Sequence, residues 1–407
     1  MPILNKIRTA FPGARRDSTA DPVPARLRTA LTAFFALDGF LFAGWVVRIP
    51  AIKAQTGAST GDLGLALLGV SAGAVATMTV TGRLCGRFGS HRVTVVTGAL
   101  LSLSIALPPL TGSALALGLA LLVFGTAYGA INVAMNSAAV DLVAALRRPV
   151  MPSFHAAFSL GGMLGAGLGG LVAGSLSPTR HLLLLAVIGL ALTAVAGRTL
   201  LAHRHPHPDP GPSSATPVAP TRLAGRMRWI VAVFGLIALC TAYGEGALAD
   251  WGALHLQQDL GAHPGIAAAG YSVFALMMTV GRLTGTALLE RLGQTRVLVA
   301  GGATAAAGML LGALAPSIWA TLAGFAVTGL GLANIFPVAI GRAGALAGPS
   351  GVATASTLGY GGMLLGPPAI GFLADWLSLP VALTTVGLLA GAAACIAHAT
   401  RNAGTRG

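Results

Sequence analysis

The stretch SFHAAFSLGGMLGAGLGGLVAG, residues 153–174, decides the architecture. It is apolar enough to lie in lipid, and Gly161, Gly165 and Gly169 recur within it at four-residue intervals. Glycines at that spacing leave a smooth stripe on one helix face, against which a neighbouring backbone can pack closely in a bilayer. The string GGML inside this stretch, 161–164, returns two hundred residues later at 361–364. An echo at half the chain length predicts two related halves.

Composition widens that reading to the whole chain. Of 407 residues, 55% are hydrophobic and only 9% are charged, against roughly 25% charged in a soluble domain. Mean hydropathy is +0.79. Most of the chain must therefore be solvated by lipid. Apolar runs of about 20 residues, enough to cross the hydrocarbon as a helix, recur throughout, and no alternation of ten-residue strands appears. A helical bundle is expected, not a β-barrel.

The net charge of +14 is an orientation signal and not a nucleic-acid footprint. Basic residues fill the segments between alternate apolar runs, so that of 25 Lys and Arg only Arg48, Lys53 and Arg180 fall outside. That pattern puts both termini in the cytoplasm. The three cysteines, Cys85, Cys240 and Cys395, lie in separate stretches and imply no disulfide framework. No nucleotide-binding loop, paired metal-binding aspartates or HExxH string occurs, and no soluble domain is long enough to signal. An enzyme, a cofactor and a metal are therefore not expected; His203, His205 and His207 lack the cysteine or carboxylate partners of a zinc site.

Taken in order, residues 1–28 read as a cytoplasmic tail, 29–200 as a six-helix half, 201–228 as a Pro/His-rich cytoplasmic linker, 229–399 as a second six-helix half and 400–407 as a cytoplasmic tail. Twelve spans are predicted: 29–47, 63–81, 93–110, 115–138, 153–174 and 182–198, then 229–251, 266–289, 297–315, 319–341, 354–374 and 379–399. GRFGSHR, 86–92, matches ERLGQTR, 290–296. Asp38 with Trp45 matches Glu245 with Trp251, and Asn334 falls near the counterpart of Asn132. Arg83 and Arg282 are set at matching inner span ends, from which they should snorkel to the headgroups. Two halves of the same order imply a pseudo-twofold axis along the membrane normal.

With these features the chain resembles the major facilitator superfamily. FLFAGWVVRIPAI after Asp38, NVAMN followed by RRPVMPSFHAAFSLGG, and EGALADW followed by YSVFALMMTVGRL are similar to its MosC-like branch. The resemblance implies an all-α, twelve-helix transporter and a small polar solute such as a sugar, polyol or amino-polyol. Two positions depart from the superfamily's patterns. Gly86 stands where the turn after span two usually carries an acid, although Glu290 keeps one in the second half, and Ala166 replaces the proline of the efflux motif.

Intramembrane acids mark function by default, which singles out Asp38 and Glu245 as proton-coupling or substrate-binding groups; the alternative is a helix-end acid or a structural pair with an arginine. Tyr128, Asn132 and Asn136 share one helix face by their spacing. Together with Tyr243 and Asn334 they are candidates for binding a solute, or for bonding between helices. His155 could titrate or bond to a neighbouring helix. Arg48 and Asp250 read as an outer gate or as interfacial anchors, and Arg87, Glu290 and Arg291 as parts of a cytoplasmic gate. The expected activity is proton-coupled secondary transport by a monomer in a bacterial cytoplasmic membrane, with a proton and a small solute as partners. Proton-antiporting efflux of drugs or metabolites is the alternative.

Overall fold

A computed structural model describes residues 22–58, 60–172, 175–203 and 225–401. The expected tail up to 21, most of the linker (204–224, with His205 and His207) and residues 402–407 lie outside the described residues. Residues 22–28 are helical. The described chain forms thirteen α-helices: α1 (Pro22–Val46), a short α2 (Ile49–Thr56), α3 (Thr60–Phe88), α4 (Ser90–Ser104), α5 (Ala114–Leu146), α6 (Met151–Leu171), α7 (Pro178–Ala202), α8 (Gly225–Gln258), α9 (Pro264–Leu292), α10 (Gln294–Leu314), α11 (Ile318–Leu332), α12 (Ile335–Trp376) and α13 (Leu379–Ala399).

Eleven stretches are long and apolar enough to cross a membrane, and one of them, Ile318–Trp376, holds two of the twelve predicted crossings. An uninterrupted helix of the 42 residues of α12 would be about 63 Å long, twice the hydrocarbon thickness. The chain instead turns at Ala347 and Gly348, where Gly348 takes φ +56° and ψ −145°, a region that L side chains avoid. The perimeter is apolar, with Leu65 70%, Leu115 76% and Leu171 81% exposed, as a surface solvated by lipid requires.

The stripe of α6 packs on α1 as its spacing predicts. A Cβ on Gly161 would strike the Ala36 carbonyl and one on Gly165 the Phe40 carbonyl, while Gly39 of α1 sits equally close to Phe158. In the second half Gly362 of α12 lies on the Leu239 carbonyl of α8, and Gly366 lies on Tyr243. The packing therefore pairs Ala36 with Leu239 and Gly161 with Gly362, one residue beyond the GGML match. It also corrects the equivalence of the two acids, since Asp38 now corresponds to Thr241 and Glu245 to Phe42.

The α3–α5 and α9–α11 pairs repeat in the same manner. Gly125 sits on the Val70 carbonyl and Gly329 on the Phe274 carbonyl, the same register as GRFGSHR and ERLGQTR. Arg282 therefore corresponds to Met78, not to Arg83. It is 5% exposed, so the snorkelling expected of Arg282 does not occur; Arg83 is exposed.

The two halves meet in close contact at the end that carries the basic turns. Pro152 of α6 lies against Gly285 of α9, Gly82 of α3 against Pro349 and Ala353 of α12, and Val140 of α5 against Gly344 of α12.

Candidate translocation site

Polar groups gather where α1, α5 and α6 of one half face α8, α9 and α12 of the other. Asp38 is fully buried on α1, and neither carboxylate oxygen has a hydrogen-bond partner among the described residues. Tyr128 stacks on Phe42 with ring centroids 4.9 Å apart and meets Tyr360 of the second half edge-on at 6.1 Å. Both tyrosine hydroxyls lie within electrostatic reach of Asp38 and of Glu245.

The asparagine face is partly spent on structure. Asn136 Nδ2 donates to the Asn132 carbonyl at 2.8 Å, which leaves Asn136 Oδ1 to His155 Nε2 at 3.2 Å. With the amide so committed, His155 carries its proton on Nε2 and donates. Its ring stands edge-on to Phe35 at 5.4 Å and to Phe336, across the interface, at 5.8 Å. Asn132 Oδ1 has no partner among the described residues, so Asn132 keeps capacity for a ligand, whereas the Tyr128 hydroxyl is paired with that of Tyr360.

Across the interface, Arg282 is the hub. Its Nη1 donates to Ser159 Oγ of α6 at 2.6 Å, its Nε to the Ala333 carbonyl at 3.3 Å, and its Nη2 stands 3.6 Å from Glu245 Oε2. The Glu245 side chain is 25% exposed. One guanidinium thus joins the second half's acid to the first half's hydroxyl.

Twelve apolar crossings in two matching halves, with Asp38 buried in one and Glu245 paired to Arg282 in the other, set this chain beside known proteins. The family model of the Major Facilitator Superfamily matches residues 29–254 and 234–403. The chain belongs to that superfamily. It is 34% identical over 371 residues to an uncharacterized MFS-type transporter of Yersinia pestis (90% of this chain, 93% of the relative). It is also 29% identical over 360 residues to the membrane protein MosC of Rhizobium meliloti (87% and 85%). Among solved structures it is similar to the E. coli fucose:proton symporter FucP, with a TM-score of 0.73 and 17% identity (91% of this chain, 97% of that one). The human organic anion transporter MFSD10 gives a TM-score of 0.74 and 16% identity (92% and 99%). This is a multi-pass membrane transporter and not an enzyme.

In this transporter two expected solute contacts are committed elsewhere. The Tyr243 hydroxyl bonds to Thr385 Oγ1 of α13 at 2.9 Å, and Asn334 Nδ2 donates to the Gly281 carbonyl at 2.9 Å while its Oδ1 presses on Gly285. Both brace the second half. The Arg48 and Asp250 pair is not formed. Arg48 is 2% exposed and donates Nε to His181 Nδ1 at 2.8 Å and Nη2 to the Val172 carbonyl at 3.2 Å, within its own half, whereas Asp250 is exposed. Acceptance by Nδ1 makes His181 the neutral imidazole.

At the basic end, Glu290 reaches across the interface to Arg148 at 2.8 Å. Arg291 is exposed, and Arg87 lies 5.3 Å from the Phe88 ring. Arg282, Ser159, Tyr360 and Arg148 are the residues that sequence reasoning missed as site or interface groups. The signal for Arg282 was available. Aligning ERLGQTR with GRFGSHR places it opposite apolar Met78, whereas matching the inner ends of the spans sets it opposite Arg83.

Proposed function

We propose that this transporter is a proton-coupled secondary carrier that moves a small polar organic solute, of the sugar, polyol or amino-polyol class, by alternating access. It acts in a bacterial cytoplasmic membrane with both termini inside. The observation that carries the reading is Asp38, fully buried with both oxygens unpartnered. An ionised carboxylate so placed costs several kcal/mol, and a bound proton removes that cost. A half that rotates to expose Asp38 to water lets the proton leave.

Glu245 takes the other role. Arg282 balances its charge, its side chain is partly exposed, and the first half supplies Asn132, whose Oδ1 is unpartnered among the described residues, and Tyr128, paired with Tyr360. Together they suit hydroxyls and an amine. Closure at the basic end, with Pro152 on Gly285 and Arg148 on Glu290, suits a carrier open to the outside.

The test separates the two roles in proteoliposomes. Asp38→Asn should lose accumulation driven by a proton gradient yet keep exchange of labelled for unlabelled solute, and Glu245→Gln should lose both. Proton-driven accumulation that survives Asp38→Asn would remove Asp38 from coupling. The solute is found by thermal unfolding with sugars, polyols, amino-polyols and lipophilic cations, since a ligand at 100 times its dissociation constant adds about 2.7 kcal/mol to the folded state. Stabilisation by lipophilic cations alone would replace uptake of a polar solute with efflux.

A further inference from the structure

The two halves treat one pair of helices differently. In the first half Gly189 of α7 lies on Ser102 of α4, and Gly197 lies so close to Val95 that a Cβ would be 3.0 Å from its methyl groups. In the second half Gly387 of α13 lies on Ala306 of α10. Matching these contacts sets Val96 against Ala300, Gly197 against Cys395, Leu200 against His398 and His203 against Arg401.

The first-half groove is sealed at the basic end. Leu200 is fully buried, and the His203 carbonyl lies 3.3 Å from the ring of His91, itself 5% exposed. In the second half a side chain stands where Gly197 allowed close approach, a smaller residue replaces Val96, and His398 and Arg401, which contact one another, replace Leu200 and His203. The groove stays open as a cavity of about 650 Å³. Its floor is Val299, Ala300 and Ala303, and its rim is Arg296, His398 and Arg401, with no carboxylate in the lining.

An adjoining hollow shares Arg401 and is bordered by Arg342. Gln294 Oε1 holds Arg342 at 2.9 Å, and the Phe234 ring lies 5.4 Å from its guanidinium. Three arginines therefore line two hollows that share Thr295 and Arg401.

Depth tells which anion fits. Arg296 is the third residue of α10 and Arg401 follows the end of α13, so the rim stands where membrane helices emerge from hydrocarbon. The floor descends from there along exposed Ala300 and Ala303. Guanidinium forks match phosphate oxygens, and basic pockets between spans at this level suit lipid headgroups. We infer that the groove between α10 and α13 binds an anionic phospholipid, its phosphodiester at Arg296 and Arg401 and one acyl chain along Val299, Ala300 and Ala303.

The full chain, purified in neutral detergent, is unfolded thermally with phosphatidylglycerol, phosphatidylcholine or inorganic phosphate. Phosphatidylglycerol should raise the midpoint by about 3 °C or more, and the other two should not. Arg296→Gln with Arg401→Gln should abolish most of that shift. Arg83→Gln with Arg92→Gln, which removes the same charge from exposed positions of the first half, should keep it. Equal losses in both double variants would reduce the effect to diffuse attraction, and a shift untouched by the first would overturn the site. Stabilisation by phosphate alone would make the ligand a free anion. Should the first double variant fail to fold, Ala300→Trp fills the floor with every charge in place and should also lose the shift; full retention overturns the assignment.

Discussion

The two halves share their packing and divide their chemistry. Where the first half has Asp38 the second has Thr241, and where the second has Glu245 and Arg282 the first has Phe42 and Met78. Tyr128, Asn132, Asn136 and His155 face, at equivalent positions, Leu332, Phe336, Ile340 and Ser356. The glycines that set helix distances recur, because close packing in lipid needs small residues in both halves. Each polar group occurs once. A duplicated frame thus carries a site built from two unlike walls, one with an unpartnered acid and one with an acid balanced by a guanidinium.

The comparison breaks most severely at Arg282. Arg282→Met gives the second wall the residue of the first; it strands Glu245 and frees Ser159, and should cost about 3 kcal/mol together with transport. Adding Glu245→Gln should recover much of that stability in thermal unfolding but no transport, because the stranded charge is gone while the solute contact is not restored. At the other wall, Asp38→Thr copies the second half and should gain about 1–3 kcal/mol, the cost of burying polar oxygens without partners, while proton-driven accumulation disappears. A loss of stability instead would mean that Asp38 has a compensating partner.

The register of the repeat is testable at two adjacent glycines. Gly362→Ala drives a methyl group into the Leu239 carbonyl and should cost about 2 kcal/mol, whereas Gly361→Ala enters open space and should stay within about 0.5 kcal/mol. The reverse order would restore the GGML register. The smallest effect belongs to the bridge between halves at the basic end. Arg148 and Glu290 side chains are 58% and 37% exposed, so Arg148→Ala should change stability by less than about 1 kcal/mol. It should nonetheless raise labelling of a cysteine introduced at Ser153 by weakening closure.

Much of the site was legible as residue types and little of it as pairings. Asp38, Glu245, Tyr128 and Asn132 stand out because acids and amides inside apolar runs are rare. Tyr243, Asn334 and Arg48 stand out for the same reason, yet their side chains turn toward Thr385, Gly281 and His181. Arg282 was hidden by its match with Arg83 at the inner span ends, which placed it too near the surface.

By itself the sequence determined the bundle, the twelve crossings and the repeat, because the length of an apolar run, the spacing of glycines along one face and the lie of basic turns are properties of a single segment. The tertiary structure alone decided that Arg282 joins Glu245 to Ser159, that Asp38 stands without a partner and that the acids are not equivalent. A helix turns about 100° per residue, so an error of two residues in register carries a side chain to the opposite face. Only helices packed against one another fix that register.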